Sequence, residues 1–218
     1  MKYARLGLGS PCDPETQGLL LRQLYLGELE QGELEHARIV AEQLVALNVL
    51  GDVARHDAAR VCQALGDHDA AIEHLREAAR CGPADRRTLH VSTLAGLLHA
   101  IGRPKEAADE LASVADDPGV AGPLVRAQLT LARHAGSISD GFDDLSVAYH
   151  ELASAPAGEG YGRFVLGELA WELGDRDAAR RHLEAFLSRL RRARVSSQVA
   201  LGPEMRRAES LLARISWN

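Results

Sequence analysis

The sequence predicts an all-α protein, a right-handed α-solenoid of about five helical hairpins closed by a C-terminal capping helix. Three observations predict it. Ala, Leu, Arg and Glu dominate while aromatic residues supply only 4% of the chain, a mixture that favours helices packed through leucine and small residues. A turn glycine recurs at positions 32, 66, 102, 136 and 174, with spacings of 34, 36, 34 and 38. Around each glycine, apolar residues stand three and four apart, the period of a helix with one buried face.

The elements follow from the copies of this pattern. EQGELEHARIVAEQLVAL (30–47) sets Gly32 five residues before Ala37, and LGDHDAAIEHLREAARCGP (65–83) repeats the layout and adds a closing proline. IGRPKEAADELASVADDP (101–118) places Gly102, Ala107, Leu111 and Pro118 in that order, and LGDRDAARRHLEAFLSRL (173–190) supplies Gly174, Ala179 and Leu183. The fourth copy is degenerate: Gly136 is followed by Leu145, Ala148 and Pro156. Each copy reads as helix, tight turn, helix, with hairpins at about 15–48, 50–83, 86–118, 122–156 and 159–190. Glycine at the turn accepts the left-handed conformation that ends the first helix. Asp67 and Asp175 follow as N-caps of the second. Alanine five residues after the glycine lets the two helices approach closely. A single hairpin cannot bury its outer face, so neighbours must stack. Residues 1–14 form an N-terminal extension and 191–218 a linker and capping helix. That helix is expected to start at Pro203 and run to about Ile215, with Met205, Ala208, Leu211, Leu212 and Ile215 on one face and Trp217 beside them.

These residues resemble the tetratricopeptide repeat (TPR) family over roughly residues 15–190. The upstream half of its motif is matched by Leu166 and Gly167 in YGRFVLGELAWELGD, and by Leu94, Ala95 and Leu98 in VSTLAGLLHAIG. The helix-opening tryptophan of the family is absent from every copy. The resemblance implies a non-catalytic scaffold that holds another protein on an inner face built by the first helix of each hairpin. The lysine–asparagine clamp by which some members hold chaperone C-termini has no counterpart, since the inner-face positions contain neither residue.

Other classes are disfavoured by composition. Apolar and charged fractions of 46% and 26% describe a folded chain, and a net charge of −6 argues against a general nucleic-acid binder. Arginine far outnumbers lysine, which occurs only at Lys2 and Lys105. A GC-rich bacterial genome produces that bias through codon composition. No apolar run resembles a signal peptide or a membrane span, so a cytoplasmic location without membrane contact is expected. Cys12 lacks the preceding apolar segment of a lipoprotein signal. Cys62 and Cys81 complete an odd count without metal-binding spacing. No phosphate loop, zinc-protease or nucleophile motif occurs, and Gly7-Leu8-Gly9 has no strand before it. His68 and His74, six residues apart, share no helix face well. The chain is read as a non-enzyme with no catalytic residue, metal or cofactor.

Positions three, six and ten before each turn glycine are expected on the inner face. They give Arg22 beside Leu26 and Leu29; His56, Arg60 and Gln63; Ser92, Gly96 and His99; Arg126, Thr130 and Arg133; and Phe164, Glu168 and Trp171, with Tyr161 one turn back. A basic middle on an acidic protein points to an acidic or carboxylate-bearing peptide as ligand. Phe164 and Trp171 are expected either to anchor it or to pack against neighbouring helices. Two alternative functions use other features. Six arginines against one glutamate between 189 and 207 would let a regulator contact nucleic acid, and the repeat ends or inner faces could pair two copies in a homodimer.

Overall fold

The computed structural model describes residues 2–136 and 142–216, and of Lys2, Phe142, Asp143 and Ser216 the backbone alone. Among these residues every regular element is helical: α1 (Lys2–Leu8), α2 (Pro14–Glu30), α3 (Leu34–Leu47), α4 (Gly51–Leu65), α5 (His68–Cys81), α6 (Ala84–Ala100), α7 (Pro104–Ala112), α8 (Gly122–Ala135), α9 (Phe142–Ser154), α10 (Gly162–Glu172), α11 (Arg176–Arg191), α12 (Val195–Ala200) and α13 (Gly202–Ser216), with a 3₁₀ turn at Pro156–Gly158. The chain forms an all-α repeat fold of two compact units. The first contains Met1–His90 with Arg194–Ala200, the second Val91–Ala193 with Leu201–Asn218.

The repeated glycines close four of the five hairpins by one device. Gly32, Gly66, Gly102 and Gly174 all have φ between 75° and 84°. At the second hairpin the Gly66 amide donates to the Gln63 carbonyl at 3.1 Å, and the Asp67 amide reaches back to the Cys62 carbonyl at 2.9 Å. This Schellman pairing satisfies two carbonyls that the helix end leaves open. Asp67 and Asp175 then accept from the amides of Ala70 and Ala178. The fourth copy departs from this pattern. Gly136 is right-handed at φ −78°, its amide bonds to the Ala132 carbonyl as in an uninterrupted helix, and residues 137–141 lie outside the described residues.

Ala37, Ala71, Ala107 and Ala179, each five residues past its glycine, are completely buried. A methyl group at these positions is what allows paired helices to close on each other. In the first unit, α2, α3 and α4 enclose a core of Leu21, Tyr25, Leu29, Val40, Leu44 and Val61. In the second, α8 to α11 and α13 enclose Leu145, Leu152, Leu166, Leu183, Phe186, Leu211 and Ile215. Gly167 sits where α10 meets α11: a Cβ there would come within 2.6 Å of Leu183 Cγ. The family-like Leu-Gly pair thus marks a close helix crossing.

Two elements lie where the sequence shows little periodicity. α1 forms inside the N-terminal extension and its Arg5 reaches the buried Glu28 of α2 at 2.8 Å. The linker after α11 contains α12. The terminal helix begins at Gly202, with Pro203 in its first turn as expected, and Ala208, Leu211 and Ile215 are buried. Trp217, assigned to the same face by its sequence, lies outside the described residues.

Candidate functional site

In the first unit, α2 and α4 present a face on which residues 194–200 rest. Glu30, at the end of α2, accepts from the backbone amides of Val195 and Ser196 at 3.1 Å each and from the Ser196 hydroxyl. These contacts lower the Glu30 carboxyl below its ordinary range, the Ser196 hydroxyl contributing most. Val199 packs against the α2–α4 core. A cavity of about 80 Å³ remains between the surfaces, lined by Tyr25, Leu26 and Leu29 of α2, Asp57 and Arg60 of α4, and Ser196, Ser197, Val199 and Ala200.

The predicted residues of this face divide by environment. Arg22 is spent on the buried carboxylate of Asp57, Nε to Oδ2 at 2.9 Å. The carbonyl of Asp57 also accepts from the buried Tyr25 hydroxyl at 2.8 Å, whose proton is held well above the usual phenol range by burial and then by the Asp57 charge. Gln63 is buried. Arg60 alone is half-buried in the cavity wall with no ion pair or hydrogen bond among the described residues.

His56 is 6% exposed and belongs to a buried polar chain. Its Nδ1 lies 2.9 Å from Nδ1 of His90, and His90 Nε2 lies 2.8 Å from Asp52 Oδ2. With neutral rings both contacts are satisfied when His56 Nδ1–H donates to His90 and His90 Nε2–H donates to Asp52; this tautomer assignment follows from the network. His56 Nε2 then carries a bare lone pair, buried and without a partner. Burial first, then Arg60, His90 and Arg22, push the His56 pKa down to about 3. Arg86 completes the chain by pairing with Asp52 at 3.0 Å.

In the second unit the predicted aromatic residues pack internally. Phe164 is 6% exposed and stacks obliquely between Tyr161 and Phe186, at centroid distances of 5.9 and 5.4 Å. Trp171 lies against Arg176 and Arg214, whose guanidinium carbons stand 3.6 and 4.6 Å from its ring centroid. Glu168 is buried and accepts from Arg207 of α13 at 3.2 Å. Burial raises its pKa, opposed by His99 and Arg207. Tyr161 receives a long contact of 3.5 Å from Gln128, which is itself fixed to Ser92 by a 2.6 Å hydroxyl bond. The Tyr161 hydroxyl lies over Gly96, where a Cβ would meet it at 3.1 Å, and burial raises its pKa far above the usual value. Arg126 binds Glu151 and the Ala115 carbonyl. Arg133 and His99 are partly exposed, and Arg133 has an interaction partner. The basic segment is partly neutralised as well, since Arg191 pairs with Glu209 at 3.0 Å and Arg207 with Glu168.

One cluster offers mixed metal-ligand chemistry. Glu42, Cys62 and His74, from α3, α4 and α5, have ligand atoms within 4.8 Å of one another. The Cys62 thiol is fully buried and its pKa is raised by that burial, so a metal would have to displace its proton. Sequence spacing did not reveal this cluster because its members come from three helices.

The tetratricopeptide repeat model matches residues 54–80, the stretch from α4 through most of α5. The chain carries a tetratricopeptide repeat. Its fold is likewise that of TPR proteins. A structure described as PilF of Pseudomonas aeruginosa superposes with a TM-score of 0.57 at 16% identity, covering 94% of this chain and 90% of that one. MamA from Desulfovibrio magneticus RS-1, residues 41 to the end, gives 0.56 at 16% identity over 82% of this chain and 96% of its own. YrrB, described as a TPR protein with an unusual peptide-binding site, gives 0.50 at 16% identity, covering 82% and 89%. No curated protein is significantly similar in sequence. Among the described residues no helix is long and apolar enough to cross a membrane.

Proposed function

We propose that the chain is a non-catalytic adaptor that holds a segment of another protein on the first helices of its repeats, with the α2–α4 face as the principal seat. The observation that carries this reading is that the face already accommodates a peptide-like segment. Residues 195 and 196 bind Glu30 across a sequence separation of 165 and 166 residues, and Val199 fills the adjoining apolar surface. Main-chain hydrogen bonds at one end and an apolar pocket beside them are the ordinary means by which a short segment is recognised. The TPR fold, shared with a protein described as having a peptide-binding site, supports the same reading.

The burial of Phe164, Trp171 and Glu168 moves the reading away from an aromatic anchor in the second unit and towards Arg60. In the seat, Leu26 and Leu29 supply apolar contact and Arg60 supplies charge. The test is affinity capture from the native host with the intact chain and with the variant Leu26→Asp/Arg60→Glu, followed by a binding titration on each purified partner. A partner held through the seat should lose at least tenfold in affinity while the helical circular dichroism of the variant stays native. Unchanged affinity for every purified partner would place binding elsewhere.

A further inference from the structure

We infer that residues 194–200 are a resident competitor of the α2–α4 seat, and that the partner displacing them is a short helical segment bearing a carboxylate for Arg60. The inference rests on the seat being the binding face. The resident segment satisfies two of the three features the seat offers. Its first amides and the Ser196 hydroxyl meet Glu30, and Val199 meets the apolar wall. The third feature stays unanswered. Arg60 lines the same cavity as Ser197 and Ala200 but has no counter-charge among the described residues, because the neighbouring Asp57 is already taken by Arg22. The sequence VSSQVA of α12 contains no acid.

A half-buried guanidinium without a carboxylate is worse off than one with a charge-assisted bond. A segment that kept the hydroxyl and the aliphatic residue, and carried Glu where Ser197 stands, would use all three features. The resident segment has the advantage of tethering. An attached ligand acts at an effective concentration on the order of millimolar, so an acidic partner is needed to outcompete it and non-acidic segments are kept off the face.

Two measurements test the inference on the full chain. In the first, residues 194–200 are replaced by a Gly/Ser linker of equal length. An N-acetylated, fluorescein-labelled peptide of residues 193–201 is then titrated by anisotropy, alongside the same peptide with Ser197→Glu. The linker variant should bind both, the Glu peptide about tenfold more tightly, and Arg60→Gln in the linker variant should erase that difference. The parent chain should bind the Glu peptide at least tenfold more weakly than the linker variant does. Binding of neither peptide by a natively helical linker variant would overturn both the competitor and the seat. Equal binding of the two peptides would overturn the acidic partner while leaving the seat in place. Equal binding of the Glu peptide by parent and linker variant would overturn the competitor. In the second, Ser197→Glu is made in the intact chain. It should raise the thermal midpoint, and Arg60→Gln should cancel the rise; a rise that survives Arg60→Gln comes from the helix start alone and refutes the pairing.

Discussion

Lowering the pH should destabilise the protein through His56, and the size of the effect follows from its surroundings. Its Nδ1 is committed to His90, and its Nε2 is buried without a partner, so a second proton has no acceptor to meet. Arg60 and Arg22 add positive charge nearby, and Asp52, one turn earlier on α4, is already bonded to His90 and Arg86. The folded protein therefore keeps His56 neutral down to about pH 3, whereas an unfolded chain protonates a histidine near pH 6.5. Between those limits the unfolded state binds more protons, so stability falls as pH falls, and above about pH 6.5 this residue contributes no slope. Each pH unit below about 6.5 removes about 1.4 kcal/mol, or about 2 kcal/mol by pH 5. Urea unfolding followed by circular dichroism at about pH 7.5 and pH 5 measures it in the parent and in His56→Gln, whose amide can still donate to His90. The parent should lose about 2 kcal/mol more than the variant between the two conditions. His182, whose pKa is also lowered by burial and then by Arg163 and Arg181, contributes equally to both proteins and cancels. Identical losses, or a His56 ring resonance titrating with a midpoint above about pH 5, would refute the assignment of the neutral chain.

The remaining expectations concern the repeat and its charges. Gly167→Ala should cost about 1–3 kcal/mol by driving a methyl into Leu183, read as a lower urea midpoint; an unchanged midpoint would show that the helices separate freely there. Asp175→Ala should cost about 1 kcal/mol by removing the cap on the Ala178 amide, with loss of amide-exchange protection concentrated at the start of α11. Arg126→Glu should lower the thermal midpoint, because it sets a carboxylate against Glu151 and abandons the Ala115 carbonyl. Arg60→Glu should leave that midpoint nearly unchanged, since no carboxylate pairs with Arg60 among the described residues. Equal shifts in the two variants would show that Arg60 has a structural role.

Most of the helical framework could be read from sequence because glycine and alanine act locally. A left-handed residue at the end of a helix and a buried methyl one turn into the next are recorded in the residue types themselves, as at Gly66 and Ala71 or Gly174 and Ala179. The environments of the inner-face positions were not recorded in this way. Arg22 and Arg126 stand ten residues before their turn glycines and Arg60 six before its own, all at expected inner-face positions, yet the first two are bound to carboxylates contributed by Asp57 and Glu151 and Arg60 is not. Those partners lie 35 and 25 residues away, so helical periodicity carries no trace of them. Phe164 and Trp171 were ambiguous for a related reason. A helix between two others is apolar nearly all round, and α10 is buried at every position from Phe164 to Trp171, which leaves no polar stripe to separate an inner face from a packing face.

The same locality explains why the segment resting in the seat escaped the sequence while the seat's own Leu26, Leu29 and Arg60 did not. α12 has six residues and none of them is fully buried, so it offers neither the length nor the apolar stripe from which a helix is recognised. An isolated helix this short is unstable in water. Its order must therefore come from what it touches, chiefly Glu30 at its first turn and the α2–α4 surface under Val199. A segment whose structure depends on its seat can also leave that seat at lower cost than a core helix, because among its apolar residues only Val199 packs against the α2–α4 core. That combination distinguishes residues 194–200 from α13, which buries Ala208, Leu211 and Ile215 in the second unit's core. Of these two neighbouring elements, only the shorter is built to be exchanged for another segment.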